Sequence, residues 1–244
     1  VDAKGISVKK PHTGWPDNIS LMYWAAWGGY PEMARLLLKY GAREHHERQI
    51  KVNGERGTTS LHEAIAPGPW GDDHRVRGKR EVAQIIIDDG AYYDILSASG
   101  LDDQVRLKAL LSENPQLATD ADPYGMTPLH WAARAGAIDS ARLLIGANAD
   151  VNAANKAHRT PLHLAADDGQ IDIISLLVEH GANIDVQDKV GRTALHRATY
   201  GGQAEAAERL LTLGADPWVL NKKGKNAFEI ARKDSKYFKQ RSKE

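Results

Sequence analysis

One interval constrains this chain more than any other property. "TPLHWAARAG" begins at Thr127, "TPLHLAADDG" at Thr160 and "TALHRATYGG" at Thr193, each 33 residues after the last. Counting on by 33 reaches Asn226 in "NAFEIARKD", and counting back reaches Asp94 in "DILSASGLDD". Two further copies start at Thr59 ("TSLHEAIAPG") and Ser20 ("SLMYWAAWGG"). A fixed period of this length means that one small unit recurs and buries its apolar face against its neighbours.

Local chemistry defines the unit. The phase residues Ser20, Thr59, Asp94, Thr127, Thr160, Thr193 and Asn226 are all side chains that cap a helix N-terminus. Pro128 and Pro161 follow at the first helical position, where a missing N–H costs nothing. Asn226 and Glu229 have the spacing of a capping box. Gly29, Gly136, Gly169 and Gly202 should end a first helix, and Gly41, Asn148, Gly181 and Gly214 a second. Between units, "DPYG" (122–125) and "DKVG" (188–191) read as type I turns.

The period of 33 and the T-P-L-H-x-A signature resemble the ankyrin repeat family. The resemblance runs from residue 20 to about residue 235. It implies an all-α solenoid of about seven units, each a helix pair with a protruding finger loop, forming one domain over residues 1–244. It also implies a concave face, made of fingers and first helices, that binds a protein.

Three irregularities interrupt the period. Thr59 to Gly90 is 31 residues where 21 is usual, so ten are inserted near "IAPGPWGDDHRVRGK" (65–79). Prolines and glycines there predict a loop over 69–78 carrying Trp70, Asp72, Asp73, His74, Arg75 and Arg77, which braces the stack or forms a second contact surface. The first finger is six residues longer than standard, and the finger after Gly90 is eight residues shorter. These changes predict a seam near residues 90–94.

Chemistry of other kinds finds little to use. The fourth-position histidines His62, His130, His163 and His196 recur with the repeat and read as structural. Neither His45-His46 nor Asp72-Asp73-His74 has metal-ligand spacing, and no nucleophile elbow or phosphate-cradling loop is present. The expectation is therefore a non-catalytic chain with no metal and no cofactor. Basic and acidic residues balance at 32 each, which argues against nucleic acid as the partner. No apolar run approaches the ~20 residues of a membrane span. The absence of cysteine excludes disulfides, while Val1 in place of methionine leaves compartment and any removed leader open.

Carried onto this sequence, the family's contact positions fall at fingertips and at the ends of first helices. They are Tyr124, Met126, Lys156, Arg159, Lys189, Arg192, Lys222, Lys223 and Lys225 on the fingers. Trp27, Arg134, Asp167, Asp168 and Tyr200 lie on the first helices, and Trp131 is expected to show part of its ring. The expected partner is a protein bound by a monomer. Two alternatives stay open: the chain is the recognition arm of a larger enzyme or effector, or its basic end binds nucleic acid or an anionic surface. Residues 222–244 hold nine basic and three acidic residues, a net of +6.

Overall fold

The computed structural model describes residues 21–41, 51–52, 55–56, 61, 64, 73–90 and 93–231, and of 51–52, 55–56 and 73–77 the backbone alone. Five helix pairs are complete: Leu21–Gly28 with Pro31–Lys39, Ile95–Leu101 with Gln104–Glu113, Pro128–Ala135 with Ile138–Gly146, Pro161–Asp167 with Ile171–Glu179, and Ala194–Gly201 with Ala204–Thr212. Residues 227–231 begin another helix. The expected caps Ser20 and Thr59, together with His45, His46, His62, Trp70, Asp72 and the tail after residue 231, lie outside the described residues.

None of these paired helices exceeds ten residues, too short to persist alone in water. Capping starts them and packing holds them. Thr127, Thr160 and Thr193 are extended at the cap, with ψ of 167, 168 and 173°. Asp94 does the same and accepts from the Ser97 N–H at 2.8 Å. At the far ends, Gly136, Gly202 and Asn148 take left-handed φ of 73, 70 and 63°.

First helices pack on first helices and second helices on second helices from Ile95 to Thr212. Their interface is built from alanine: Ala132, Ala133, Ala165, Ala166 and Ala198 are fully buried, which lets the helix backbones approach closely. Leu129, Leu162 and Leu195 fill the space one turn earlier, and Leu144, Leu177 and Leu210 do so on the second helices. One continuous core runs from Met22 to Ala227.

The inserted segment departs from expectation. Residues 73–78, expected in a loop, are the opening turns of a helix spanning Asp73–Asp88. The prolines, Pro67 and Pro69, lie upstream of it, so only Gly78 opposes helix there, at a cost of about 1 kcal/mol. Gly78 also has a steric reason to be glycine. A Cβ at that position would stand 2.2 Å from the carbonyl oxygen of Gly29. The long first finger contains a minimal antiparallel ribbon, Lys51–Val52 against Glu55–Arg56.

The third unit adapts to its missing glycines. Asp102 takes the left-handed turn with φ 59°, and its Oδ1 accepts from the Ser140 N–H of the next unit at 2.8 Å. Pro115 cannot extend the preceding helix and instead opens a 3-10 turn over Pro115–Thr119. The Asn114 side chain caps that turn by accepting from the Gln116 N–H at 3.1 Å.

Candidate binding face

Four fingers share one design. Asp122, Asn155, Asp188 and Asn221 stand 33 residues apart, and each accepts through Oδ1 from the backbone N–H groups two and four residues on. The turn then closes with the N–H of Gly125, His158, Gly191 or Gly224 donating back to the carbonyl of the same Asx residue. His158 sits with φ 56° where the other three are glycine, and histidine is among the side chains that tolerate this region best. Successive fingers are joined by backbone bonds: Lys156 N–H to Tyr124 O at 2.8 Å, Lys189 N–H to Ala157 O at 3.0 Å, and Lys222 N–H to Val190 O at 3.1 Å.

The histidines tie fingers to helices. Nδ1 of His130, His163 and His196 accepts from the cap N–H of Thr127, Thr160 and Thr193 at 3.1, 3.1 and 3.3 Å. That bond leaves Nε2 as the protonated nitrogen, which donates to the carbonyl 29 residues on: Arg159 at 2.9 Å, Arg192 at 2.9 Å and Lys225 at 3.0 Å. Burial drives all three imidazoles toward the neutral form, His130 to a pKa of about 4. Both ring nitrogens are thus occupied, and these histidines are structural.

Beside this satisfied ladder lies a charged floor. In two consecutive units the residue just before the cap leans on the end of its own first helix. Arg159 Nη1 lies 4.0 Å from Asp167 Oδ2, and the Arg192 guanidinium lies 3.9 Å from the centroid of the Tyr200 ring. Met126 and Arg134 hold the same two positions one unit earlier. Arg134 Nε is 3.8 Å from Asp168 Oδ2. Asp168 is only one-fifth exposed, and burial pushes its carboxyl up to about 7 against the pull of Arg134.

Two residues of this floor escaped the sequence reading. Arg197 and Asp188 are both buried; Arg197 Nε donates to Asp188 Oδ2 at 3.1 Å, and its Nη2 donates to the same oxygen. Arg197 Nη1 also faces Asp167 Oδ2 at 3.7 Å. Burial alone would raise the Asp188 carboxyl, but the Arg192 and Val190 amides and the Arg197 guanidinium hold it below the ordinary carboxylate range. A signal was present in the sequence. Arg197 stands four residues after its cap, where Trp131, Leu164 and Ile230 stand in other units. A cation at an apolar register position requires a buried anion nearby.

The predicted contact residues divide by exposure. Tyr124, Lys156, Lys189, Tyr200, Lys222 and Lys223 are exposed, and Arg134, Arg159, Asp167, Asp168, Arg192 and Lys225 are partly so. Trp131 and Met126 are corrected to core positions. Trp131 is 3% exposed and belongs to the continuous core, and Met126 is 9% exposed, with its sulfur accepting from Asn155 Nδ2. Trp27 is partly buried and makes an edge-on contact with Trp24 at 5.5 Å, away from the four joined fingers. Of the inserted segment, the side chains of Asp73, His74, Arg75 and Arg77 lie outside the described residues.

Among the described residues, no three His, Cys, Asp or Glu side chains cluster as a metal site, and no helix is long and apolar enough to cross a membrane. The single ankyrin repeat model matches residues 124–156, and the model of three ankyrin repeats in tandem matches residues 150–221. No curated protein matches the chain. The matched span 124–221 coincides with the joined fingers, the alanine-packed first helices and the histidine ladder, and this span of the chain is built of ankyrin repeats.

Proposed function

We propose that this chain binds a protein partner along the finger side of residues 124–225, acting by recognition and not by catalysis. Ankyrin repeats are generally protein–protein interaction modules and typically non-catalytic. One contrast carries the assignment to this face. The Thr, His and Asx side chains that build the fingers spend their polar atoms inside the fold. The variable positions among them do not: Lys189, Lys222 and Lys223 are exposed and Tyr200 is 40% exposed. Arginine and aromatic side chains dominate interface energetics, and here they alternate along one lane.

Charge reversal of Lys189 and Arg192 to Glu, compared with reversal of Glu179 and Glu208 on second helices, tests the reading. Tandem capture from a lysate of the source organism should lose its specific bands with the finger variant and keep them with the second-helix variant. Equal retention by both would reject the face.

A further inference from the structure

We infer that the finger lane recognises an extended, acidic segment whose carboxylates recur at every third residue. This inference rests on the face proposed above and adds the chemistry and spacing of what that face holds.

The first observation is a row of incompletely answered cations. Arg159, Arg192 and Lys225 occupy the same position in consecutive units, 33 residues apart. Their backbone carbonyls are held by the histidine ladder, which fixes each residue's base. Their head groups are not held in the same way. Among the described residues, Arg159 Nε is buried without a hydrogen-bond partner, and the one ion pair of its side chain spans 4.0 Å, beyond hydrogen-bonding reach. Arg192 rests on the Tyr200 ring, a contact that uses the guanidinium face and leaves its N–H edge available. Lys225 has no acceptor among the described residues. Exposed Lys189 and Lys222 flank the row.

The second observation is pitch. Helices packed side by side repeat at about 8–10 Å, and backbone bonds lock neighbouring fingers to the same repeat. A polyproline II segment advances about 3.1 Å per residue with three residues per turn. It therefore returns one side chain to the same face about every 9 Å. A strand, at about 3.3 Å per residue, covers about 10 Å in three residues but alternates its faces. An extended segment of the first kind with acids at i, i+3 and i+6 meets Arg159, Arg192 and Lys225 in register. An α-helical ligand, with a rise of about 1.5 Å, would need six or seven residues between acids.

The third observation separates this ligand from a uniform polyanion. Asp167 and Asp168 interrupt the lane between its cations. Asp167 is shared by Arg159 and Arg197, and Asp168 is paired with Arg134, so neither repels a single carboxylate strongly. A nucleic acid, charged at every residue, would place phosphates against both.

Fluorescence anisotropy of the full chain with synthetic peptides tests this directly. One eleven-residue probe carries Glu at three positions spaced by three in a Pro/Ala background. A second has the same composition with the three Glu adjacent, and a third arm is a single-stranded oligonucleotide. The spaced peptide should bind about tenfold more tightly than its isomer, and Arg159→Gln with Arg192→Gln should abolish that preference. Equal binding of the two isomers, no binding of either, or stronger binding of the oligonucleotide would each overturn the inference. The isomer comparison uses the unaltered chain, so it does not depend on how the variants fold. Failure here, with capture still lost on finger charge reversal, would reject the acidic ligand and leave the face assignment standing; failure here with capture retained by the finger variant would reject the two together.

Discussion

Arg197 and Asp188 form a buried ion pair that binds the helix Ala194–Gly201 to the finger that precedes it, with Arg197 Nε donating to Asp188 Oδ2 at 3.1 Å. One unit earlier the same two positions are Leu164 and Asn155, both uncharged. The Asp188 carboxylate also caps the finger turn through Oδ1, as Asn155 does. The charge on each partner therefore exists to answer the other.

This yields a double-mutant prediction. Asp188→Asn keeps the turn but leaves the buried Arg197 charge only its 3.7 Å contact with Asp167, and should cost about 3 kcal/mol, the low end for breaking a buried ion pair. Arg197→Leu should cost less, because two backbone N–H groups still hold Asp188. The double variant recreates the Leu164/Asn155 arrangement and should recover most of the loss, to within about 1–2 kcal/mol of the parent. Urea unfolding midpoints of the four proteins measure the coupling.

The histidine ladder predicts an acid-labile fold. His130 has a folded-state pKa of about 4 against 6.5 when free, because burial and the Thr127 N–H both require neutral imidazole. A depressed pKa means that the unfolded chain binds the proton more readily. The ladder's contribution is complete above pH 6.5 and is lost as pH falls toward 4, with His163 and His196 shifted in the same direction. For His130 alone the loss is on the order of 3 kcal/mol. Thermal unfolding between pH 7.5 and pH 4.5 should show a steep fall, and His130→Gln, less stable at neutral pH, should show a shallower one.

Asp168 carries the opposite sign. Its folded carboxyl is raised to about 7 from 3.8, by burial first, with Asp167 adding to it and Arg134, Arg159 and Lys79 opposing it. The protonated form is the one that the fold favours, so stability from this group is present below pH 3.8 and lost as pH rises through 7. Asp168→Asn should therefore be more stabilising, or less destabilising, at pH 8 than at pH 4. The difference should be of order 3 kcal/mol, read from unfolding at the two pH values.

Gly78 gives a prediction that runs against helix propensity. Alanine in place of glycine within a helix normally stabilises by about 1 kcal/mol. Here the added methyl would meet Gly29 O at 2.2 Å. Gly78→Ala should destabilise by about 1–3 kcal/mol, the usual range for overpacking. A rise in melting temperature would refute the close approach.

The fold was legible in the sequence to the extent that each unit repeats its instructions. The caps, the helix-ending residues and the Asx-initiated turns at 122, 155, 188 and 221 could all be placed by counting, because each solves a local backbone problem. What counting could not supply was anything decided between units. Trp131 and Leu164 share one register position, so neither announces by itself whether that position is lined by core or groove; the continuous core takes in both. The helix at Asp73–Asp88 was hidden by Gly78, whose reason lies in a contact with Gly29 some fifty residues upstream. The Arg197–Asp188 pair was visible only as two unrelated substitutions until their side chains met.

The most direct test of the account is photo-crosslinking of the full chain in a lysate of its source, with a benzophenone amino acid placed at Tyr200 or at Leu211. Both positions are exposed, at 40% and 38%, but Tyr200 ends a first helix beside the fingers and Leu211 lies on a second helix. A protein adduct that forms at Tyr200, is absent at Leu211 and is suppressed by reversing Lys189 and Arg192 to Glu is the predicted result. An adduct that forms at Leu211 and not at Tyr200 would contradict the finger-side binding face.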